Sequence, residues 1–277
     1  MRTLQGTMDR IVKPSTIIAL HASGGSGSQW KALGERAKHD FHVVAPYLYG
    51  HGIAPAWAGA PANIVAADAE RVARYAAEAI GAVHLVGHSY GGAIALRVAL
   101  DHPERVASVA VYEPVPLRIL FDYNRKHRAA SEVAEVADNI RRALIGGNAW
   151  RAAERFVEYW AGATQWSRLA LEKQAAMAKR MPVILSHFVS LRQDAIRLRD
   201  YASVTAPVLY LSGRDTRASA RRMAELLSAT LPDIEHEILR GMAHLGPITH
   251  AGDVAQRIAR FVYGHAEGWP LQERKAA

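Results

Sequence analysis

The 277-residue chain has no cysteine, which excludes disulfide frameworks, thiolate metal sites and cysteine nucleophiles. It also lacks any uninterrupted apolar run near the ~20 residues that a membrane helix needs. Its opening, MRTLQGTMDR, carries charges where a secretory signal carries an apolar stretch, so no leader is expected and the chain reads as cytoplasmic. There is no HExxH, no pair of histidines at helical spacing and no carboxylate cluster, so no metal is expected. The run His21-Ala22-Ser23-Gly24-Gly25-Ser26-Gly27 is glycine-rich. It matches neither GxGxxG nor the lysine-bearing phosphate loop, so no cofactor is expected either. Internal repeats and low-complexity tracts are absent too.

What is present is an ordinary soluble composition, 50% apolar and 22% charged, with a length that suits one large α/β domain or two small ones. The net charge is +8, and a basic balance can signal a nucleic-acid partner. Most of the excess lies between Val115 and Asp200, where 15 Lys and Arg face 9 Asp and Glu. These charges (Arg151, Arg155, Arg168, Lys173 and Lys179 among them) are spread through helix-like text, with no dense block and no interleaved aromatics. The plain reading is a solvated helical surface, with attraction of an anionic substrate as the alternative. Neither a nucleic acid nor a membrane is expected as a partner, and the oligomeric state is not legible.

Six short apolar runs read as strands: Thr16 to His21, Phe41 to Ala45, Val83 to Gly87, Val106 to Tyr112, Pro207 to Ser212 and Ile234 to Leu239. Most are nearly continuous and rich in β-branched residues, as strands buried on both faces of a parallel sheet must be. Helical text separates them at Asn63 to Ile80, Gly91 to Asp101, Ala218 to Ala229 and Ala251 to Tyr263. Such alternation predicts right-handed βαβ crossovers and an α/β fold with a doubly wound, mostly parallel sheet. From Val115 to Tyr201 the alternation stops. Trp150 to Ala161 places Trp150, Ala153, Phe156, Val157 and Trp160 on one helical stripe. Trp166 to Arg180 and Pro182 to Arg199 read as two further helices, the second with proline in its first turn. The expected organisation is a core of residues 1–114 and 201–277 with a helical cap of residues 115–200. The cap would sit over the carboxyl edge of the sheet, where open α/β sheets bind ligands.

The strongest motif is Gly87-His88-Ser89-Tyr90-Gly91, directly after one strand and before a helix. A serine there stands on a sharp turn with its hydroxyl above the sheet edge, and glycine is needed two residues either side because a Cβ would collide. The backbone N–H of Tyr90 then lies at a helix N-terminus, where a developing negative charge is favoured. Ser89 needs a base, and His244, in the loop after the last strand, stands where the triad order requires one. His88 reads as a packing residue and His250 as a helix-entry residue.

With these motifs, and with His21-Ala22-Ser23-Gly24-Gly25, Ala45-Pro46-Tyr47-Leu48-Tyr49-Gly50-His51-Gly52 and Gly241-Met242-Ala243-His244, the chain resembles the α/β-hydrolase superfamily, in its esterase and lipase-like branch with a helical cap. It departs at Ala22, where the family usually has glycine, and at Tyr47, where Asp is common. The resemblance implies Ser89 as nucleophile, His244 as catalytic base, and an oxyanion hole from the N–H groups of Ser23 and Tyr90. It leaves the acid open between two residues. Asp215 follows the strand that usually carries it, but stands two residues beyond Gly213 where three is usual, with Thr216 in the expected slot. Glu113 closes an apolar strand before Pro114, a position that some relatives use, and is slightly ahead.

The expected activity is hydrolysis of a carboxylic ester or related acyl compound through an acyl-enzyme. Two alternatives stand beside it: a carbon–carbon bond hydrolase of ring-cleavage products or a cofactor-free haloperoxidase with the same triad, and a non-catalytic protein that binds a small ligand. Ser89 itself excludes the aspartate nucleophile of dehalogenases and epoxide hydrolases. The expected partner is a small-molecule acyl substrate. Trp150, Trp160, Trp166 and Phe188 suit an aromatic or bulky acyl group, and the cap's arginines suit a carboxylate-bearing one.

Overall fold

A computed structural model of the chain describes residues 15–266; the MRTLQGTMDR segment lies outside them. The core opens with β1 (Ser15–Leu20), α1 (Lys31–Ala37), β2 (Phe41–Val44), α2 (Ile64–Glu78), β3 (Val83–His88), α3 (Tyr90–Asp101) and β4 (Val106–Tyr112). Five helices follow: α4 (Arg118–Asn124), α5 (Arg128–Ile145), α6 (Ala149–Ala161), α7 (Gln165–Arg168) and α8 (Leu171–Gln193). The core then resumes with β5 (Val208–Gly213), α9 (Ala218–Ser228), β6 (Ile234–Leu239), α10 (Gly246–Thr249) and α11 (Ala251–His265). None of these helices is long and apolar enough to cross a membrane.

The six strands form one sheet in the order β2-β1-β3-β4-β5-β6, with every neighbouring pair parallel. Period-two alternation decides what each face meets. Ile17, Ala19, Val86, Ala110, Leu209 and Leu211 point to one side, where they pack with Leu33 of α1 and Val254, Ile258 and Val262 of α11. Ile18, Leu20, Leu85, Val109, Val111 and Tyr210 point to the other, against α2, α3 and α9. The inner strands are therefore buried on both faces. The outer strand β6 exposes Glu235, His236 and Glu237, polar side chains that discourage edge-to-edge pairing.

The chain leaves β1 toward β2 on one side and crosses back to β3 on the other. The strand order thus reverses between β1 and β3, and a crevice opens at their carboxyl ends. Two of the motifs fall there: His21-Ala22-Ser23-Gly24-Gly25 follows β1, and Ser89 follows β3.

The helical segment between β4 and β5 differs from expectation at Trp166, which lies in the separate short α7, and at Pro182. Leu171–Gln193 is a single 23-residue helix with Pro182 inside it, not two helices divided at that proline. Proline removes one N–H from the ladder. Here Ala178, Met181, Ile184, His187, Phe188 and Leu191, on both sides of it, are all buried. Burial of one continuous apolar stripe outweighs the local break. The short α1 has no counterpart in the sequence reading; Gly34 within it weakens its helical signal.

Candidate active site

Ser89 sits between β3 and α3 with φ 55° and ψ −115°, a conformation that costs a non-glycine residue about 1–3 kcal/mol. Its neighbours hold it there. The Ser89 N–H donates to Tyr112 O at 3.0 Å, and Ser89 O accepts from the N–H groups of Ala93 and Val115. The flanking glycines are required by close approach. A Cβ on Gly87 would stand 2.4 Å from Gly91 O, and one on Gly91 would stand 2.5 Å from Leu20 O. The elbow can form only if both positions stay bare.

Across the crevice, His244 reaches Ser89. Its Nε2 lies 2.9 Å from Ser89 Oγ and its Nδ1 lies 2.7 Å from Glu113 Oε2. With the Nδ1 proton donated to the carboxylate, Nε2 is left to accept the serine proton. Glu113 follows β4 with φ 41° and is 0% exposed. Its carboxylate is held from three sides: Oε1 accepts from the Gly213 N–H at 2.8 Å, and Oε2 accepts from Thr216 Oγ1 at 2.7 Å as well as from His244. Asp215 takes no part. Its side chain is exposed, while its N–H donates to Met242 O at 3.0 Å. Thr216, in the slot where the resemblance leads one to look for an acid, supplies a hydroxyl to Glu113 instead.

The loop carrying His244 is pinned from behind. Tyr112 OH donates to Ala243 O at 2.8 Å, and His88 Nε2 donates to His244 O at 2.7 Å. Burial pushes the His88 imidazole well below its ordinary pKa, with nearby His244 adding to the effect, so it donates as a neutral ring. Trp160 from α6 stacks on the other side of His244, with centroids 4.0 Å apart. His250 caps the start of α11 and is exposed, as a helix-entry residue is.

The loop after β1 spends its hydrogen bonds elsewhere. The Ala22 N–H donates to Gln29 Oε1 at 3.3 Å, the Gly24 N–H to His51 Nε2 at 2.9 Å, and the Gly25 N–H to Ala22 O at 2.9 Å. Among the described residues, nothing accepts from the N–H of Ser23 or of Tyr90, which opens α3. Burial drives His51 below its ordinary pKa and His21 to about 4, so both rings are neutral struts. The Tyr90 ring is anchored at its far end, where its OH donates to Asp68 Oδ2 at 2.7 Å. Burial raises the Asp68 carboxyl to about 6.

A small cavity of about 20 Å³ touches Ser89 and Ser23 and is walled by Val115, Leu117, Phe156, Trp160, His187, Phe188 and Leu191. That is room for one water. Of the aromatics singled out in the sequence, Trp160 and Phe188 reach this wall. Trp150 and Trp166 instead pack edge to face on each other, 6.0 Å apart. No Lys or Arg lines the cavity, and Arg151 and Arg155 pair with Glu154 and Glu158. The sequence did not single out His187, because its link to Ser23 spans 164 residues and has no local signature. No group of three or more His, Asp or Glu among the described residues is arranged to hold a metal.

This architecture, with a serine elbow after β3 and a histidine after β6, defines a class, and comparison with known proteins agrees. The family model described as the alpha/beta hydrolase family matches residues 17–257, and the chain belongs to that family. A pimeloyl-[acyl-carrier protein] methyl ester esterase of Yersinia pseudotuberculosis is 26% identical over 250 residues, covering 88% of this chain and 92% of that protein. The dihydrolipoyllysine-residue acetyltransferase component of the acetoin cleaving system of Cupriavidus necator is 40% identical, but over 102 residues only, 36% of this chain and 26% of the relative. Among solved structures, an alpha/beta hydrolase enzyme from a Medee basin deep-sea metagenome library superposes with a TM-score of 0.74 at 15% identity, covering 93% of this chain and 91% of that one. At that identity the likeness speaks to the fold.

Proposed function

We propose that this chain is a serine carboxylesterase working through an acyl-enzyme, with Ser89 as nucleophile, His244 as general base and acid, and Glu113 as the orienting carboxylate. The observation that carries this reading is the unbroken line from Ser89 Oγ through His244 to Glu113, at 2.9 and 2.7 Å. His244 Nε2 takes the hydroxyl proton as Oγ attacks the ester carbonyl, and the imidazolium that forms is held by the Glu113 carboxylate. The N–H groups of Ser23 and Tyr90 then donate to the tetrahedral oxyanion. His244 returns its proton to the leaving alcohol, and water repeats the sequence on the acyl-enzyme to release the acid.

The site's dryness strengthens each of these interactions. Ser89, His244 and Glu113 are 6%, 3% and 0% exposed, and preorganised donors in such a site each lower an acyl-transfer barrier by about 3 kcal/mol. Residues 115–200 serve as the cap, since Phe156, Trp160, Phe188 and Leu191 from them close over Ser89. A cavity of about 20 Å³ means that an acyl group enters only after these side chains part. The esterase relative supports ester chemistry as the reaction.

The test is turnover of p-nitrophenyl butyrate by the wild-type chain and by Ser89→Ala. The proposal expects hydrolysis by the first and none above background by the second, with matching circular dichroism. Equal rates would reject it.

A further inference from the structure

His187 comes from α8, and besides the His51 ring, 5.5 Å away, it meets the floor of the site. Its Nδ1 lies 2.7 Å from Ser23 Oγ, and its ring stacks on Tyr90 at 3.7 Å and 9°. It therefore touches both residues whose N–H groups stand beside Ser89. In that contact either side can donate; with the Ser23 hydroxyl as the donor, His187 Nδ1 is the acceptor. With Nδ1 accepting, the ring's own proton resides on Nε2. Burial, with His51 and His21 nearby, holds the imidazole well below its ordinary pKa, so the ring is neutral and not a cation.

That Nε2–H is buried and has no partner among the described residues. His187 is the one residue with such an atom among those that wall a cavity otherwise mostly apolar, built from Val115, Leu117, Phe156, Trp160, Phe188 and Leu191. An unpaired buried donor costs about 1–3 kcal/mol, and a site keeps one where a ligand supplies the acceptor. We infer that His187 Nε2–H is a specificity determinant that hydrogen-bonds an acceptor oxygen on the acyl part of the substrate, so that the preferred substrates are short acyl esters bearing an ether, keto or second carbonyl oxygen near the scissile group. The inference rests on the esterase reading above. Because Ser23 and Tyr90 hold the ring to the core, His187 stays in place when the aromatic side chains of the cap part.

The test uses methyl esters paired by exchange of one oxygen for one methylene: methoxyacetate with butanoate, 3-methoxypropanoate with pentanoate, and 4-methoxybutanoate with hexanoate. Each kcat/KM is divided by that ester's rate with hydroxide, which removes intrinsic reactivity. At one of the three positions the wild-type chain is expected to favour the ether by about tenfold or more. His187→Phe keeps a ring against Tyr90, and His187→Asn keeps a hydrogen-bonding group for Ser23. Both are expected to bring that ratio to within about twofold of unity.

A wild-type ratio near unity at all three positions overturns the inference, whether or not either variant folds. A ratio unchanged in the variants overturns it as well, because loss of a purely structural strut slows both esters alike. If Ser89 reacts with a fluorophosphonate while no ether is favoured, this inference alone fails. If there is neither labelling nor turnover, the esterase reading fails with it.

Discussion

Replacing Glu113 by Gln keeps the size and removes the charge, and the structure dictates which way the amide must lie. The Gly213 N–H stands 2.8 Å from Oε1 and requires an acceptor, so the amide oxygen takes that place. The NH2 group is then left facing His244 Nδ1, 2.7 Å away. An amide N–H can only donate there, so Nδ1 must accept and the imidazole proton moves to Nε2, opposite Ser89 Oγ. The ring then has no lone pair with which to take the serine proton. In a serine triad this wrong tautomer costs about 10⁴ in kcat, or ~5.5 kcal/mol of barrier at about 1.36 kcal/mol per tenfold. Asp215→Asn, at an exposed carboxylate, is expected to stay within about twofold of wild type. Initial rates with p-nitrophenyl butyrate, beside thermal melts of both variants, provide the comparison. Should Glu113→Gln retain more than about a tenth of wild-type kcat, or should Asp215→Asn be the damaging change, the assignment of the orienting carboxylate is refuted.

Further outcomes follow from the same structure. Thr216→Val removes the hydroxyl bonded to Glu113 Oε2, one of three donors on that carboxylate. A fall in kcat/KM of about tenfold is expected, and an unchanged value would show the hydroxyl to be idle. Gly91→Ala would place a Cβ 2.5 Å from Leu20 O, so unfolding free energy in urea should drop by about 3 kcal/mol or more. Gly252→Ala on α11 meets nothing within 4 Å and should leave that energy equal or raise it by up to about 1 kcal/mol. His84 and His21 are each lowered by burial from 6.5 to about 4, so the unfolded chain binds protons first as pH falls. Stability is therefore fully present above pH 6.5 and is lost as pH falls toward 4, by up to about 3 kcal/mol per ring. Urea midpoints at pH 7 and pH 4.5 should show a smaller acid loss in His84→Gln than in wild type, and identical losses would contradict the attribution.

Much of the scaffold was legible because its signals are local. The run Val106–Tyr112 reads as a buried strand from its own residues, and Gly87 to Gly91 carries its steric reason within five positions. Legibility ends where packing decides. Pro182 reads as a boundary between helices, yet a stripe buried on both sides of it keeps α8 whole. Asp215 and Glu113 look nearly equivalent in the sequence, each at the end of a strand. Only the turn after β5, which presents the Gly213 N–H and the Thr216 hydroxyl to Glu113, separates them. His187 carries no signal at all, since its meaning arises from Ser23 and Tyr90, both remote in the chain. Arg151 and Arg155 meet glutamates one turn away, a pairing that i,i+3 spacing alone provides.

The proposed chemistry requires that one hydroxyl in this chain be made nucleophilic by the ring beside it. Treating the folded protein with a fluorophosphonate and mapping the adduct by peptide mass spectrometry measures that reactivity at the atom concerned. A single adduct on Ser89 is predicted, absent from Ser89→Ala and formed at least about a hundredfold more slowly in His244→Ala. An unlabelled wild-type chain, or an adduct carried by another serine, would contradict the account.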